Sequence, residues 1–566
     1  MLSTDQTLWD HWRRIADSGP DREAIAHWVT GEEPYRWTRG RLIHRAEWYA
    51  VRLAEAGVGP GDVCALIVRH HPEFYPLYMG IEALGALPAV LAYPNARLHP
   101  DKFRHGLAGM AVRSGLDWVL TERELESKVR PLISGGGGSI RDVLFPLEWG
   151  AEAESPQAAI PAWKGRAQSP DDPCLLQHSS GTTGLQKGIV LSHRAVLEHV
   201  VRYGGAVGLA AADRVVSWLP LYHDMGLIAA FHLPLAFGIP TVQLDPFEWV
   251  MAPVILLEAL SRERGTLTWL PNFGYNFMAD SIRQEDLVGV DLAPLRLVVN
   301  CSEPVRQYSH DRFIERFRQC GLREASLAAC YAMAETTFAV TQTRPAERAR
   351  SVDASREALA RGSYVPAQPG ESRRQCVSSG EPIPGCFVRV VADTGEEAAD
   401  GEVGEVAISS VSMFTGYRNN PEETARVLRD GWYFSGDYGF RWEGELYVIG
   451  RKKDLIIVAG KNIYPEDVED AVGGVAGVLP GRVVAFGLED ERAGTEQICV
   501  VAETAVEDEA GRKTLARAII AAGMLIDVTV ARVYLVSPRW LIKSSAGKPS
   551  RSANRERALQ DMKPVA

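Results

Sequence analysis

CLLQHSSGTTGLQKGIVLSHRAVLEHV, residues 174–200, passes from an apolar run through a polar turn into a second apolar run and then into a helical pattern. Cys174 to Gln177 and Gly188 to Leu191 read as strands. Ser192 is placed to cap a helix over His193 to Val201. The loop between the strands is therefore a strand-to-strand connection, which separates it from the Walker loop. Its glycines Gly181 and Gly184 stand too close together, Lys187 is followed by Gly188, and a strand comes next where a helix is required. Ser179, Ser180, Thr182 and Thr183 offer hydroxyls and permissive backbone amides, and Lys187 adds charge, a set that suits a polyphosphate. Read alone, the stretch is equally a surface hairpin.

Outward from this loop, apolar runs alternate with helical patterns. Val215 to Leu219, Thr241 to Leu244 and Leu295 to Asn300 read as strands, and Met225 to Phe237 and Gln307 to Cys320 as helices. This alternation predicts an α/β fold with largely parallel sheet between helices, and places ligand-binding loops at the carboxyl ends of the strands. Ser134 to Ser139 and Arg344 to Ser379 break the pattern and read as irregular loops. After about Gly450 the texture becomes that of a small α+β unit, with strands at 454–458, 482–486, 497–501 and 529–536 and helices opening at Pro465 and near Gly511. The expected organisation is a large domain over 1–449 and a small mobile domain over 450–566, joined through Gly450-Arg451-Lys452-Lys453.

A length of 566 residues exceeds what one core supports, and 46% hydrophobic with 23% charged residues is an ordinary globular composition. The net charge of −11 argues against nucleic acid as a partner. No run approaches a membrane span; Met225 to Leu244 is broken by His232, Pro234, Gly238, Pro240 and Gln243. The eight scattered cysteines include no CxxC pair, and Met1 to Pro20 has no signal-peptide pattern, which points to a cytoplasmic protein with reduced thiols and no integral membrane segment.

Further polar clusters follow apolar runs. In SWLPLYHDMG, residues 217–226, His223 and Asp224 fall where a strand gives way to a helix, with Asp224 fit to cap it. CYAMAE, residues 330–335, delivers a ring and a carboxylate together; Glu335 reads as a helix-start acid or a Mg²⁺ ligand. YFSGD, residues 433–437, offers Asp437 as acceptor for two sugar hydroxyls or as an Asx turn. KSSAGK, residues 543–548, sets Lys548 on a Ser/Gly loop near the C-terminus, where an exposed tail lysine is the ordinary reading.

In order, HSSGTTGLQKG, WLPLYHDMGL, NCSEPV, YAMAET, YFSGDYG, GRKKDLIIVAGKNIYPEDVE and KSSAGK resemble the motif series of the adenylate-forming, AMP-binding enzyme superfamily over roughly residues 30–555. The WLPLYHDMGL form and the insertion at 344–375 resemble the fatty acyl-AMP ligase branch. The resemblance implies ATP and Mg²⁺ as cofactors, a fatty acid as substrate and a phosphopantetheinylated acyl carrier protein as acceptor. It also implies roles. Ser179, Ser180, Gly181, Thr182, Thr183 and Gly184 wrap the β- and γ-phosphates, with Lys187 adding charge. Ser302, Glu303, Pro304 and Tyr331 form the adenine slot, with Tyr331 stacked on the base, and Ala332, Met333 and Ala334 belong to the same ATP/AMP-binding set. Glu335, with Thr182, holds Mg²⁺; Asp437 takes the ribose hydroxyls beside Arg451; Lys453 is the hinge. Lys548 bridges the substrate carboxylate and the α-phosphate, and His223, Gly226, Ala229 and Ala230 border the acyl pocket.

Departures from the family pattern are Cys301-Ser302 for Gly-Ala, Ala332 for glycine, which disfavours a positive φ there, and Ala229-Ala230 for Gly-Gly. The last pair adds two methyls to the acyl pocket and implies a medium-length or otherwise modified acid. Arg551, Arg555 and Arg557 are candidates for a basic carrier-docking face, or else a solvated helix. Two other readings stand beside the ligase: an acyl-CoA ligase using free CoA, and a non-catalytic adenylate-binding protein.

Overall fold

The computed structural model describes residues 3–94, 100–134, 139–150, 168–178, 186–458, 461–490, 495–543 and 548–565. Its largest sheet has nine strands. Glu23–His27, Thr241–Gln243, Val215–Ser217, Leu267–Leu270, Leu297–Asn300 and Leu327–Ala332 run parallel, and antiparallel strands close both edges. Leu267–Leu270 and Leu297–Asn300 are buried at every position, because a parallel strand between helices has packing on both faces. A second, four-stranded parallel sheet carries Leu87–Val90, Val63–Ile67, Trp118–Thr121 and Asp142–Leu144. The α/β class expected from the alternation is the observed one.

The opening stretch folds as its residues dictate. Pro173–His178 and Gly188–Ser192 pair antiparallel, and Ser192 caps the helix His193–Ala206 by accepting from the Ala195 N–H. Residues 179–185, and with them Ser179, Ser180, Gly181, Thr182, Thr183 and Gly184, lie outside the described residues, as does the glycine run at 135–138.

Two expectations are corrected. The helix foreseen over Met225 to Phe237 is a π-helix over Met225–His232 followed by an α-helical turn, Leu233–Phe237, that ends at Gly238 in left-handed φ. Gly226 is required there: a Cβ would stand 2.4 Å from the Pro220 carbonyl oxygen. The second correction concerns Arg344 to Ser379, which is ordered rather than irregular. Ser351–Ser355 pairs antiparallel with Arg373–Val377, and Ser355 caps the helix Arg356–Ala360. Ala354, Leu359 and Cys376 from this segment enter one core with Tyr438, Phe440, Tyr447, Ile449 and Tyr464.

Beyond residue 454 the chain builds a core of its own. Val483–Asp490, Thr495–Glu503 and Val530–Val536 form a mixed sheet covered by the helices Pro465–Gly473 and Glu509–Met524. All eight cysteines are free and buried. Among the described residues, no helix is long and apolar enough to cross a membrane.

Candidate functional site

Strand ends deliver the site. Ser302 follows Leu297–Asn300, Tyr331 closes Leu327–Ala332, and His223 and Asp224 follow Val215–Ser217, so three neighbouring loops open on the same edge of the nine-stranded sheet. Asp437 lies on the long strand Trp432–Trp442 of a separate antiparallel sheet, directly opposite Arg451. The Tyr331 hydroxyl donates to Asp437 Oδ2 at 2.6 Å, and Arg451 Nε stands 3.3 Å from Oδ1. These two contacts orient the Asp437 carboxylate and leave it lone pairs to spare. Burial, with Asp437 next in effect, pushes the Tyr331 phenol up, and Asp437 raises Arg451.

Backbone strain gathers in two of these loops. Ser302 has φ 67° and Thr337 φ 71°. Left-handed φ in a β-branched residue is costly, on the order of 1–3 kcal/mol. Thr337 is held by its hydroxyl, which donates to the Ser412 carbonyl at 2.8 Å. It lies two residues past Glu335 and shapes the turn that presents that carboxylate. Ala332 does not adopt positive φ, so the alanine fits its strand-end position without strain. Glu303 accepts from the Phe273 N–H at 2.9 Å. Ala334 is buried, Met333 half-buried and Pro304 exposed.

Lys548 arrives from the far end of the chain. Its ammonium donates to the Ser302 carbonyl. Burial lowers its pKa, with Glu303 and Asp224 opposing and Arg451 adding to the fall. At the other flank, His223 Nδ1 is 2.6 Å from Asp224 Oδ1. Burial alone would raise the Asp224 carboxyl, but the His223 ring and the Met225 N–H outweigh it and hold the group below the usual carboxylate range. Lys548, Ser302, Asp224 and His223 thus form one cluster, while Lys453 is exposed in the short turn Lys452–Asp454. Because a lysine ammonium is lost as pH rises through its pKa, the depressed value sets an expected alkaline limb. The kcat/KM of any reaction that uses Lys548 falls at lower pH than for an ordinary lysine, and Lys548→Arg removes that limb in a pH–rate profile.

Lys187 stands 2.5 Å from Glu423 and over the Tyr417 ring, 4.5 Å from its centroid. Glu335 is half-buried and accepts from the Tyr417 hydroxyl at 2.8 Å, which leaves carboxylate oxygen for a hard cation such as Mg²⁺. Ala229 and Ala230 are fully buried in the π-helix, beside Phe231, whose ring lies against Tyr75 and Tyr78.

Sequence reasoning missed the groups that support these residues. Tyr417 and Glu423 gave one weak signal, the Asn420-Pro421 helix start that follows Tyr417. Arg306–Asp470 at 2.7 Å and the pairing of Asp467 with Arg356 and Arg374, at 2.9 and 3.1 Å, tie the segment after 454 to the rest and are invisible to local pattern. Of the three arginines foreseen as a docking face, Arg555 is exposed and the other two are engaged within the chain. Arg551 is engaged by Asp454, Glu466 and Glu469, and Arg557 donates to the Trp540 carbonyl.

The AMP-binding enzyme family model matches residues 12–418. A Caulobacter vibrioides protein named as a candidate acyl-CoA synthetase is 30% identical over 572 residues, spanning 98% of this chain and 97% of that one. FadD30 of Mycobacterium tuberculosis, named as a candidate long-chain-fatty-acid–AMP ligase, is 31% identical over 560 residues, spanning 93% and 92%. A solved structure from work on fatty acyl-adenylate ligases of E. coli and L. pneumophila superimposes with a TM-score of 0.89 at 27% identity, covering 98% of this chain and 97% of that one.

Proposed function

The chain belongs to the AMP-binding enzyme family, and on that premise we propose that it is a fatty acyl-AMP ligase. It joins a fatty acid to ATP, forming acyl-AMP and pyrophosphate, and then passes the acyl group to the phosphopantetheine thiol of an acyl carrier protein. The observation that carries this reading is the contact of Lys548 with the Ser302 carbonyl, which sets a cation between the adenine slot and the His223–Asp224 pair.

The chemistry asks for positioning and charge neutralisation. A carboxylate oxygen attacks the α-phosphorus and the bond to pyrophosphate breaks, so anions meet and an anion leaves. Lys548 neutralises the carboxylate and the α-phosphate as they approach. Asp437 holds the ribose hydroxyls, Tyr331 stacks on adenine, and the 179–184 loop with Lys187 wraps the outer phosphates. Mg²⁺, when bound at Glu335, supplies further positive charge to the phosphates. In the second step the carrier's thiol sulfur bonds to the acyl carbonyl carbon, AMP leaves, and the thiol proton passes to solvent or AMP.

The reading takes 450–566 as the piece that pivots about Lys453 between the two steps. The ordered insertion favours a carrier protein over free CoA. It is tied through Arg356 and Arg374 to Asp467, and this tether restrains the small domain's swing. ATP–pyrophosphate exchange across a panel of fatty acids tests the reading. Exchange dependent on a fatty acid is expected, strongest at medium length because of Ala229 and Ala230; no exchange with any acid would overturn the ligase, and equal exchange at all lengths would overturn the assigned chain length.

A further inference from the structure

We propose that Tyr417 is a positioning residue of the cation site: its hydroxyl orients the Glu335 carboxylate, and its ring forms the wall on which Lys187 lies. The inference deepens the ligase reading and rests on it. Tyr417 belongs to a two-residue strand, Gly416–Tyr417, that pairs antiparallel with Gly188–Ser192, placing Tyr417 opposite Ile189 and so two residues from Lys187. Its backbone N–H donates to the Thr424 hydroxyl at 2.9 Å, and its ring meets Phe414 edge-on at 5.0 Å. Only 5% of the residue is exposed. The ring is therefore held from strand, helix and core at once.

A side chain fixed in this way can fix another. The hydroxyl at 2.8 Å from Glu335 Oε1 restrains the carboxylate through that oxygen, and Oε2 can serve a cation. The Lys187 ammonium over the ring draws on its electrons and strengthens the hydroxyl as a donor. Glu423 steadies Lys187 from the other side, its carboxyl brought down to about 2 by the Arg426 hydrogen bond and then by Lys187. The phenol thus joins a carboxylate fit for a cation to a lysine fit for phosphate, and it is the group through which both keep their places.

Tyr417→Phe removes the hydroxyl and keeps the ring. With Mn²⁺ as the probe, binding followed by electron paramagnetic resonance in the presence of a non-hydrolysable ATP analogue is expected to weaken about 10-fold or more. The Mg²⁺ concentration for half-maximal exchange rises in step, and the fatty acid KM stays put. Metal-free binding of the analogue is retained in Tyr417→Phe and weakened in Tyr417→Leu, which also loses the ring. A well-folded Tyr417→Phe that binds Mn²⁺ as the wild type does would overturn the proposal alone. Wild-type protein that binds neither analogue nor Mn²⁺ would overturn the nucleotide reading and the proposal with it.

Discussion

Lys548→Ala lowers acyl-AMP formation by about 10²–10³-fold while the affinity for ATP changes little. In the ligase reading the ammonium acts on both reacting anions, and it donates to the Ser302 carbonyl. In that reading the adenine and ribose contacts fall to Tyr331 and Asp437, so the loss falls on the chemical step. Lysine also surrenders solvation to sit there, as its lowered pKa records. A variant that binds ATP but forms no adenylate, measured by single-turnover mass spectrometry, is the expected result. Equal loss of ATP binding and turnover would show instead that Lys548 contributes ground-state binding.

Asp467→Ala releases the segment 351–377 from the helix Pro465–Gly473. Asp467 accepts from Arg356 and pairs with Arg374, whose side chain is 5% exposed and stacked on Tyr464 at 4.8 Å. Removing the carboxylate leaves two guanidinium groups without their shared anion, one of them buried, a change that costs about 3–5 kcal/mol for a buried pair. The loss centres on the insertion, because Ala354, Leu359 and Cys376 pack in a different core from the sheet 483–536. Hydrogen exchange is expected to quicken across 351–377 and 464–473 and to stay slow in the strands Val483–Asp490 and Thr495–Glu503. Freed of its tether, the variant also turns over acyl-AMP with free CoA faster than the wild type. Unchanged exchange across the insertion would refute the tether.

Local chemistry explains how much of this was legible. The hairpin around 178–188, the cap at Ser192 and the parallel strands were readable because each is signalled within a few residues by turn formers, a hydroxyl or a wholly apolar run. The order of the motifs carried Tyr331, Asp437 and Lys548, which the fold brings together from positions more than a hundred residues apart. Arg344 to Ser379 misled because its strand Arg373–Val377 opens on two arginines: Arg374 is buried against Asp467 and the Ile449 carbonyl, pairings made in space. Tyr417 was passed over for a similar reason. Its strand is two residues long, and its meaning lies in Glu335 and Lys187, neither of them a sequence neighbour. The π-turn over Met225–His232 likewise has the apolar composition of an α-helix.

The most direct measurement is a split challenge of enzyme-bound acyl-AMP. Purified protein is given ATP, Mg²⁺ and a medium-length fatty acid; the adenylate is identified by mass spectrometry and then offered CoA in one sample and a phosphopantetheinylated carrier protein in the other. Acyl-AMP that survives CoA and is consumed by the carrier is the predicted result. Prompt conversion to acyl-CoA would contradict the assigned acceptor, and no adenylate at all would contradict the ligase itself.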